Sequence, residues 1–320
     1  MSLEAEGNKA LDKRFELTVG PLLFNWSADA FVDFYARIAD EAPVDRVAVG
    51  EVVCSKRLPF YVDRIPEVVA RLERAGKTVA LASLALPTLE RERRATQELA
   101  RQTEHEVEID DLTLLGWMSP DRPFAVGPLV NVYNERTLTY LARLGARRFS
   151  LPPELPIASV EVLAKAAAAV AARVEVWAYG RIPLAISSRC YHARVHSLTK
   201  DSCQFVCAND PDGLTARTLD GADFLAVNGV QTLSHVTANL IGDCGRLASA
   251  GVGALRLSPH SGDFVAVTQA FADASAGRIS AEEGLARLRA LAPAAEFTNG
   301  FLFGDCGAAT LKRSDARPLL

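Results

Sequence analysis

The sequence predicts an α/β protein whose parallel strands close into a (β/α) barrel, TIM-like and irregular, carrying a cysteine-bearing insertion loop. Three observations carry this expectation. Short β-branched runs alternate with helical patterns along most of the chain, as parallel strands joined by right-handed crossovers do. About nine strands are legible, enough to close a ring. The first strand-to-helix turns hold single glycines, Gly20 and Gly50, with no G-x-G-x-x-G, so a doubly wound dinucleotide sheet is the weaker alternative.

Composition agrees with a folded enzyme-sized chain. Its 320 residues are 49% hydrophobic and 23% charged, which excludes global disorder and low-complexity classes. The net charge of −4 gives no overall attraction to nucleic acid or an anionic membrane. The opening MSLEAEGNKALDKR mixes acids and bases around no apolar stretch, so it does not read as a signal peptide. The most apolar stretch, residues 166–172, is far short of the roughly 20 residues that span a bilayer. A cytoplasmic protein is expected, and in that compartment six cysteines need an explanation other than disulfides.

The elements follow in order. Residues 15–24 (FELTVGPLLF) read as a strand, and 27–41 as a helix with Ser27 at its N-cap. Residues 46–54 (RVAVGEVVC) form the next strand and 58–74 the next helix, closed by Gly76. A strand over 78–83 precedes a helix over 88–102. Short strands are expected over 106–109 and 124–127, then a helix over 135–144 ended by Gly145. Residues 148–151 lead into an alanine-rich helix over 159–172, and 174–179 (VEVWAY) is a strand. The strands 224–228 and 254–257 close the series, with helices at 232–250 and 261–275. One domain over 15–307 results, with a tail over 1–14 and another over 308–320. Residues 182–222 break the alternation and contain the turn signal Asn209-Asp210-Pro211-Asp212-Gly213. A loop that long is uncommon in a compact domain without a function or a local staple.

In a barrel, active sites lie where the strands end at their carboxyl side. Asn25, Glu51, Cys54, Ser83, Asp110, Asp111, Asn131, Arg181, Asn228 and Ser258 fall there. Cys190, Cys203 and Cys207 share the insertion loop with the spacing C-x12-C-x3-C, and Cys54 sits beyond the second strand. All four can reach one rim. Converging thiolates repel unless a metal compensates them, which suits tetrahedral zinc or an iron–sulfur cluster; spacing does not choose between the two. Redox thiols and plain buried cysteines are the alternatives, and Cys244 and Cys306 fit the plain reading.

These segments carry a resemblance. The run Glu175-Val176-Trp177-Ala178-Tyr179-Gly180-Arg181-Ile182-Pro183-Leu184-Ala185, followed by Ser187-Ser188-Arg189-Cys190, resembles the signature of the peptidase U32 family, in particular its UbiV branch. So do Lys200-Asp201-Ser202-Cys203 with Cys207, residues 17–26, residues 50–57 and residues 227–232. The likeness runs from about residue 15 to 305. It implies a [4Fe–4S] cluster held by Cys54, Cys190, Cys203 and Cys207. It also implies a heterodimer with a UbiU-like protein and a lipid-binding, UbiT-like accessory protein. The implied reaction is oxygen-independent hydroxylation of the aromatic ring of a ubiquinone precursor, with a prephenate-like hydroxyl donor. A zinc-stapled scaffold or binding protein is the alternative. A U32-type protease is a further one, although neither a G-x-S-x-G elbow nor an H-E-x-x-H motif occurs.

A cluster with four cysteine ligands has no open iron site, so electron transfer, sensing or structural support is expected of it. Catalytic candidates are few. Glu51 reads as a proton acceptor, a substrate anchor or a salt-bridged rim carboxylate. Arg181 reads as a fork for a substrate carboxylate or as a strand-end cap. His192 and His196, four apart, fall on one face if the segment is helical; they read as exposed loop histidines, with neighbours of the cluster or alternative ligands as the other reading. Asp110 and Asp111 read as an N-cap rather than a paired-carboxylate site. Lys56, Arg57 and Arg189 are cations beside the cysteines, with solvated surface charges as the alternative.

Overall fold

The computed structural model describes residues 15–311 apart from 121 and 293. Its elements in chain order are β1 (Glu16–Val19), α1 (Ala28–Glu41), β2 (Arg46–Val49), α2 (Ile65–Arg74), β3 (Thr78–Ala82), α3 (Glu90–Arg101), β4 (Glu106–Ile109) and β5 (Phe124–Val126). Then come α4 (Glu135–Arg143), β6 (Ala146–Ser150), α5 (Ile157–Ala169), β7 (Arg173–Ile186), α6 (Tyr191–Val195), β8 (Leu214–Arg217), β9 (Asp223–Asn228) and β10 (Gln231–Asn239). The chain continues through α7 (Cys244–Ser249), β11 (Ala254–Leu257), α8 (Phe264–Ser275), α9 (Ala281–Leu291) and β12 (Phe297–Thr298).

β1 to β7 pair in parallel, each with the next, and β11 pairs in parallel with both β7 and β1. The expected barrel is therefore closed, with eight parallel strands and helices outside. β7 is longer than the barrel needs. Its far half leaves the ring and pairs antiparallel with β10, which continues to β9 and β8.

Alternation along each strand builds two different faces. Leu17, Val19, Val47, Val49, Val107, Ile109, Phe149, Val174, Leu255 and Leu257 face the helices and form the main core. The opposite residues face the lumen. Arg256 of β11 reaches Glu108 of β4 at 2.6 Å and Glu175 of β7 at 2.9 Å. β4 does not adjoin β11 in the sheet, so this contact crosses the lumen. Arg148 joins Glu175 and Glu16, and Arg46 joins Glu106. Burial opposes the charge on Glu175, but Arg256 and Arg148 outweigh it and hold its carboxyl at about 2. A second apolar cluster, including Leu23, Val52, Val53, Trp177, Ile182, Cys190 and Val230, lies against the carboxyl ends of the strands.

Three sequence expectations need correction. The helix expected over 232–250 is the strand β10 followed by the short α7. Asn228-Gly229 is a hairpin signal: Gln231 pairs with Asn228, and Gly229 takes φ +65°. The helix expected over 58–74 is two 3-10 turns, Leu58–Phe60 and Val62–Arg64, before α2. Pro66 sits in the first turn of α2, where its missing N–H costs nothing; deeper in a helix it would break the ladder. The 182–222 segment is not a plain loop, because it holds the end of β7, α6, a 3-10 turn and β8. Helix α9 also lay outside the sequence reading. No helix among the described residues is long and apolar enough to cross a membrane. The expected tail over 1–14 lies outside the described residues, as does the part of the second tail beyond 311. Residues 309–311 are tied back: Gly300 N donates to Ala309 O at 3.0 Å and Leu311 N to Asn299 Oδ1 at 2.8 Å.

Candidate metal centre at the barrel rim

Cys54 stands on the rim loop after β2. Glu51 sets that loop. Its Oε1 accepts from Val53 N and Cys54 N, both at 2.8 Å, and its Oε2 accepts from the Tyr61 hydroxyl at 2.5 Å. Cys190 caps α6, its Sγ accepting from Ala193 N at 3.4 Å. Cys203 and Cys207 follow α6 on the same segment. The four cysteines line one small cavity together with Lys56, Arg57, Lys200 and Gly229.

Hydrogen-bond donors and cations stand around these sulfurs. Asn25 Nδ2 donates to Cys207 Sγ at 3.4 Å. Lys56 Nζ donates to Lys200 O at 2.6 Å, which ties the Cys54 loop to the Cys203 loop. Arg57 is 1% exposed. Its Nη1 donates to Leu23 O at 2.7 Å and its Nη2 to Asn228 Oδ1 at 2.8 Å. Burial works against the Arg57 charge, but Glu51, Cys207 and Cys54 outweigh it. Gly229 leaves room for this cation: a Cβ there would stand 2.6 Å from Arg57 Nη2. Burial pushes the Cys54 and Cys190 thiols up, and the neighbouring Cys207 and Cys203 push Cys190 further. Without a cation beside them the Cys54 and Cys190 sulfurs are biased toward the neutral thiol; a bound metal reverses that bias.

The loop also stores backbone strain. Gln204 and Phe205, between two of the cysteines, take φ +49° and +54°, and Ser197 takes +57°. Each left-handed residue costs about 1–2 kcal/mol, and such residues cluster at functional sites.

The other expected residues separate into groups. Asn25, Glu51, Cys54 and Asn228 do come together, with Arg57 between them. Arg181 does not point to an open site: its Nη1 donates to the Ser234 carbonyl at 3.0 Å and to that of His235. Asp111 caps a 3-10 turn, as expected, accepting from Thr113 N at 2.8 Å. Asp110 is buried near the lumen, where desolvation and Glu108 push its carboxyl well up. Asn131 is exposed and stands apart. His196 is exposed, as expected, but His192 is buried and hydrogen-bonded to Asp210 at 2.9 Å. Tyr61 and Asp210 were missed. Nothing in the local pattern links Tyr61 to a carboxylate ten residues earlier.

Beside the cysteine loop lies a cleft of about 1090 Å³. Trp26, Phe34, Phe60, Phe205 and Phe264 make it strongly aromatic. Phe205 and Val206 belong to both the cleft and the cysteine cavity.

A family model described as Peptidase family U32 matches residues 29–312. The chain belongs to this family. The match spans Cys54, the long β7 and the whole cysteine segment, so the rim just described is part of the U32 domain and not an appendage to it.

Proposed function

We propose that this U32 protein is the iron–sulfur subunit of an oxygen-independent hydroxylase, acting on the aromatic ring of a ubiquinone precursor. In this reading Cys54, Cys190, Cys203 and Cys207 hold a [4Fe–4S] cluster, and the likeness of the sequence runs quoted above to the UbiV branch supports it. One observation supports a cluster in particular. Among the described residues, no three of these sulfurs lie within 4.8 Å of one another, although all four line one cavity. Tetrahedral zinc, with Zn–S of about 2.3 Å, gathers its sulfurs to about 3.8 Å. A four-iron cube holds its corner ligands further apart.

The cluster supplies one-electron transfer when bound. The chain's own residues do the rest. Ala193 N and Asn25 Nδ2 donate to sulfur and Arg57 offsets negative charge, all of which raise the potential of such a centre. Glu51 fixes the turn that aims Cys54. The aromatic cleft suits an apolar ring substrate and shares Phe205 and Val206 with the cysteine cavity. A UbiU-like partner suits the exposed Tyr191, Val195 and Phe224 on α6 and β9, which contact one another. A UbiT-like carrier and a prephenate-like donor belong to the same reading.

One observation favours the zinc-stapled scaffold. The void between the cysteines is about 20 Å³, the room of one small ion or water. Sulfur spacing weighs more, because tetrahedral zinc requires all four sulfurs to converge. The test is anaerobic purification followed by iron, sulfide and zinc analysis. About four irons and four sulfides per chain, lost together in Cys54→Ala, is the expected result. One zinc and a colourless sample would replace the cluster by the scaffold reading. Cleavage of an unfolded protein above a heat-killed control would bring back the peptidase suggested by the family's description.

A further inference from the structure

We propose that His192, His196 and Asp210 form a separate site for one divalent first-row transition ion, ferrous iron or zinc, beside the cysteine centre. Their ligand atoms all lie within 4.8 Å of one another. His192 Nε2 stands 2.9 Å from Asp210 Oδ2. The imidazoles of His192 and His196 stack with centroids 5.9 Å apart and planes at 16°. Four residues of spacing across α6 bring the two rings to one side. The carboxylate arrives from another segment, the turn in which Gly213 N donates to Asp210 O at 3.0 Å.

The orientation of His192 carries the argument. Its Nδ1 lies 3.2 Å from the Val227 carbonyl, which can only accept. Nδ1 is therefore the protonated nitrogen, and Nε2 is the atom presented to Asp210. A ligating histidine is held in the same way, one nitrogen donating to a carbonyl and the other left for the metal. The His192 side chain is 1% exposed, so packing fixes it before an ion arrives. His196 is exposed and free to complete the set. A hydrogen bond between His192 and Asp210 accounts for that pair alone; it does not account for the third donor gathered beside it.

Two imidazole nitrogens and one carboxylate oxygen are the donor set of ferrous and zinc sites with open coordination positions. No cysteine belongs to the group, so the inference stands apart from the cluster reading. It does place two centres on one loop. Cys190 precedes His192 by two residues and Cys207 precedes Asp210 by three, so an ion here would pin both ends of the cysteine segment.

The experiment is anaerobic equilibrium dialysis of the full chain against zinc, with zinc, iron and sulfide measured together. The wild type should take up about one zinc per chain beyond any zinc present before dialysis, with iron and sulfide unchanged. His196→Ala, at an exposed position that cannot unfold the chain, should weaken that uptake at least about tenfold, the lower end of what losing even an outer-shell partner costs a metal site. Asp210→Asn should weaken it as well, and Cys203→Ser should leave it in place. Zinc uptake absent from the wild type, indifferent to His196→Ala, or matched by loss of iron would overturn the proposal. If the cluster reading fails and the chain carries no iron, the contrast between Cys203→Ser and His196→Ala still decides this site.

Discussion

Replacing Glu51 by alanine asks whether this carboxylate builds the proposed metal centre or performs chemistry in it. Both of its oxygens are occupied: one accepts from Val53 N and Cys54 N at 2.8 Å, the other from Tyr61 OH at 2.5 Å. Alanine leaves two backbone donors without an acceptor inside the protein. Each orphaned donor costs about 1–3 kcal/mol. Arg57 also loses a neighbouring negative charge. Removing one partner from a buried charge arrangement typically costs about 3–5 kcal/mol, so the total should fall near that range. Urea unfolding of the metal-free chain reads the stability. Metal analysis after purification reads the centre, which should lose most of its metal as the Cys54 turn relaxes. Glu51→Gln keeps an oxygen for the two N–H groups and should retain the metal. A loss below about 1 kcal/mol with full metal content in Glu51→Ala would refute the positioning role. Full metal in Glu51→Gln with abolished activity would restore Glu51 as a proton acceptor.

Gly229→Ala places a Cβ 2.6 Å from Arg57 Nη2 at φ +65°, and should cost roughly 2–4 kcal/mol from strain and the disturbed Arg57 bonds, read by urea unfolding. Arg256→Met strands Glu108 and Glu175 in the lumen and should cost about 3–5 kcal/mol at neutral pH. Because the Glu175 carboxyl is held at about 2, below its unfolded value, its contribution is present above about pH 4.3 and fades as pH falls toward 2. The Arg256→Met deficit should therefore shrink in acid, and a deficit constant across that window would disprove the lumen pairing. Asp110 has the opposite sign: burial and Glu108 raise its carboxyl, so its contribution falls as pH rises from about 4 toward the raised value. In Asp110→Asn that loss of stability with rising pH should vanish, as measured by unfolding midpoints across a pH series.

The strands of the barrel were legible because their outer faces are runs of Val, Leu, Ile and Phe between turn signals. Strands over 106–109 and 254–257 were placed at their observed ends. The lumen was not legible. Arg46, Glu106, Glu108, Arg148, Glu175 and Arg256 look like surface residues in a sequence, and only closure of the ring makes them partners across β2, β4, β6, β7 and β11. The hairpin from β9 to β10 was readable from Asn228-Gly229 but lost to a helix, because QTLSHVTAN lacks a clean alternation. At the site, the cysteines and their cationic neighbours were visible by type and spacing. The burial of Arg57 and His192 was not, since each depends on a backbone carbonyl distant in sequence, Leu23 on the rim after β1 for one and Val227 on β9 for the other.

The placement of the proposed centre follows from how the barrel is filled. Arginine–carboxylate pairs occupy the lumen, and Leu23, Val52, Trp177, Ile182 and Val230 pack above them. A substrate entering along the axis would have to displace both. Breaking a buried ion pair costs several kcal/mol, and unpacking each large apolar side chain adds about 1.5–3 kcal/mol. The usual mouth of a barrel is thus shut, and chemistry is left to the rim. Extending β7 beyond the ring meets that need. Its far half carries the chain to α6 and the cysteine segment, while β10 and β9 anchor the other end through the Asn228-Gly229 turn that seats Arg57. The extension places Cys190, Cys203 and Cys207 against Cys54 without opening the core. Shortening β7 by removing Leu184 and Ala185 together should therefore abolish metal retention while the barrel still unfolds cooperatively. Loss of metal together with loss of cooperative unfolding would show instead that the extension belongs to the barrel's own stability.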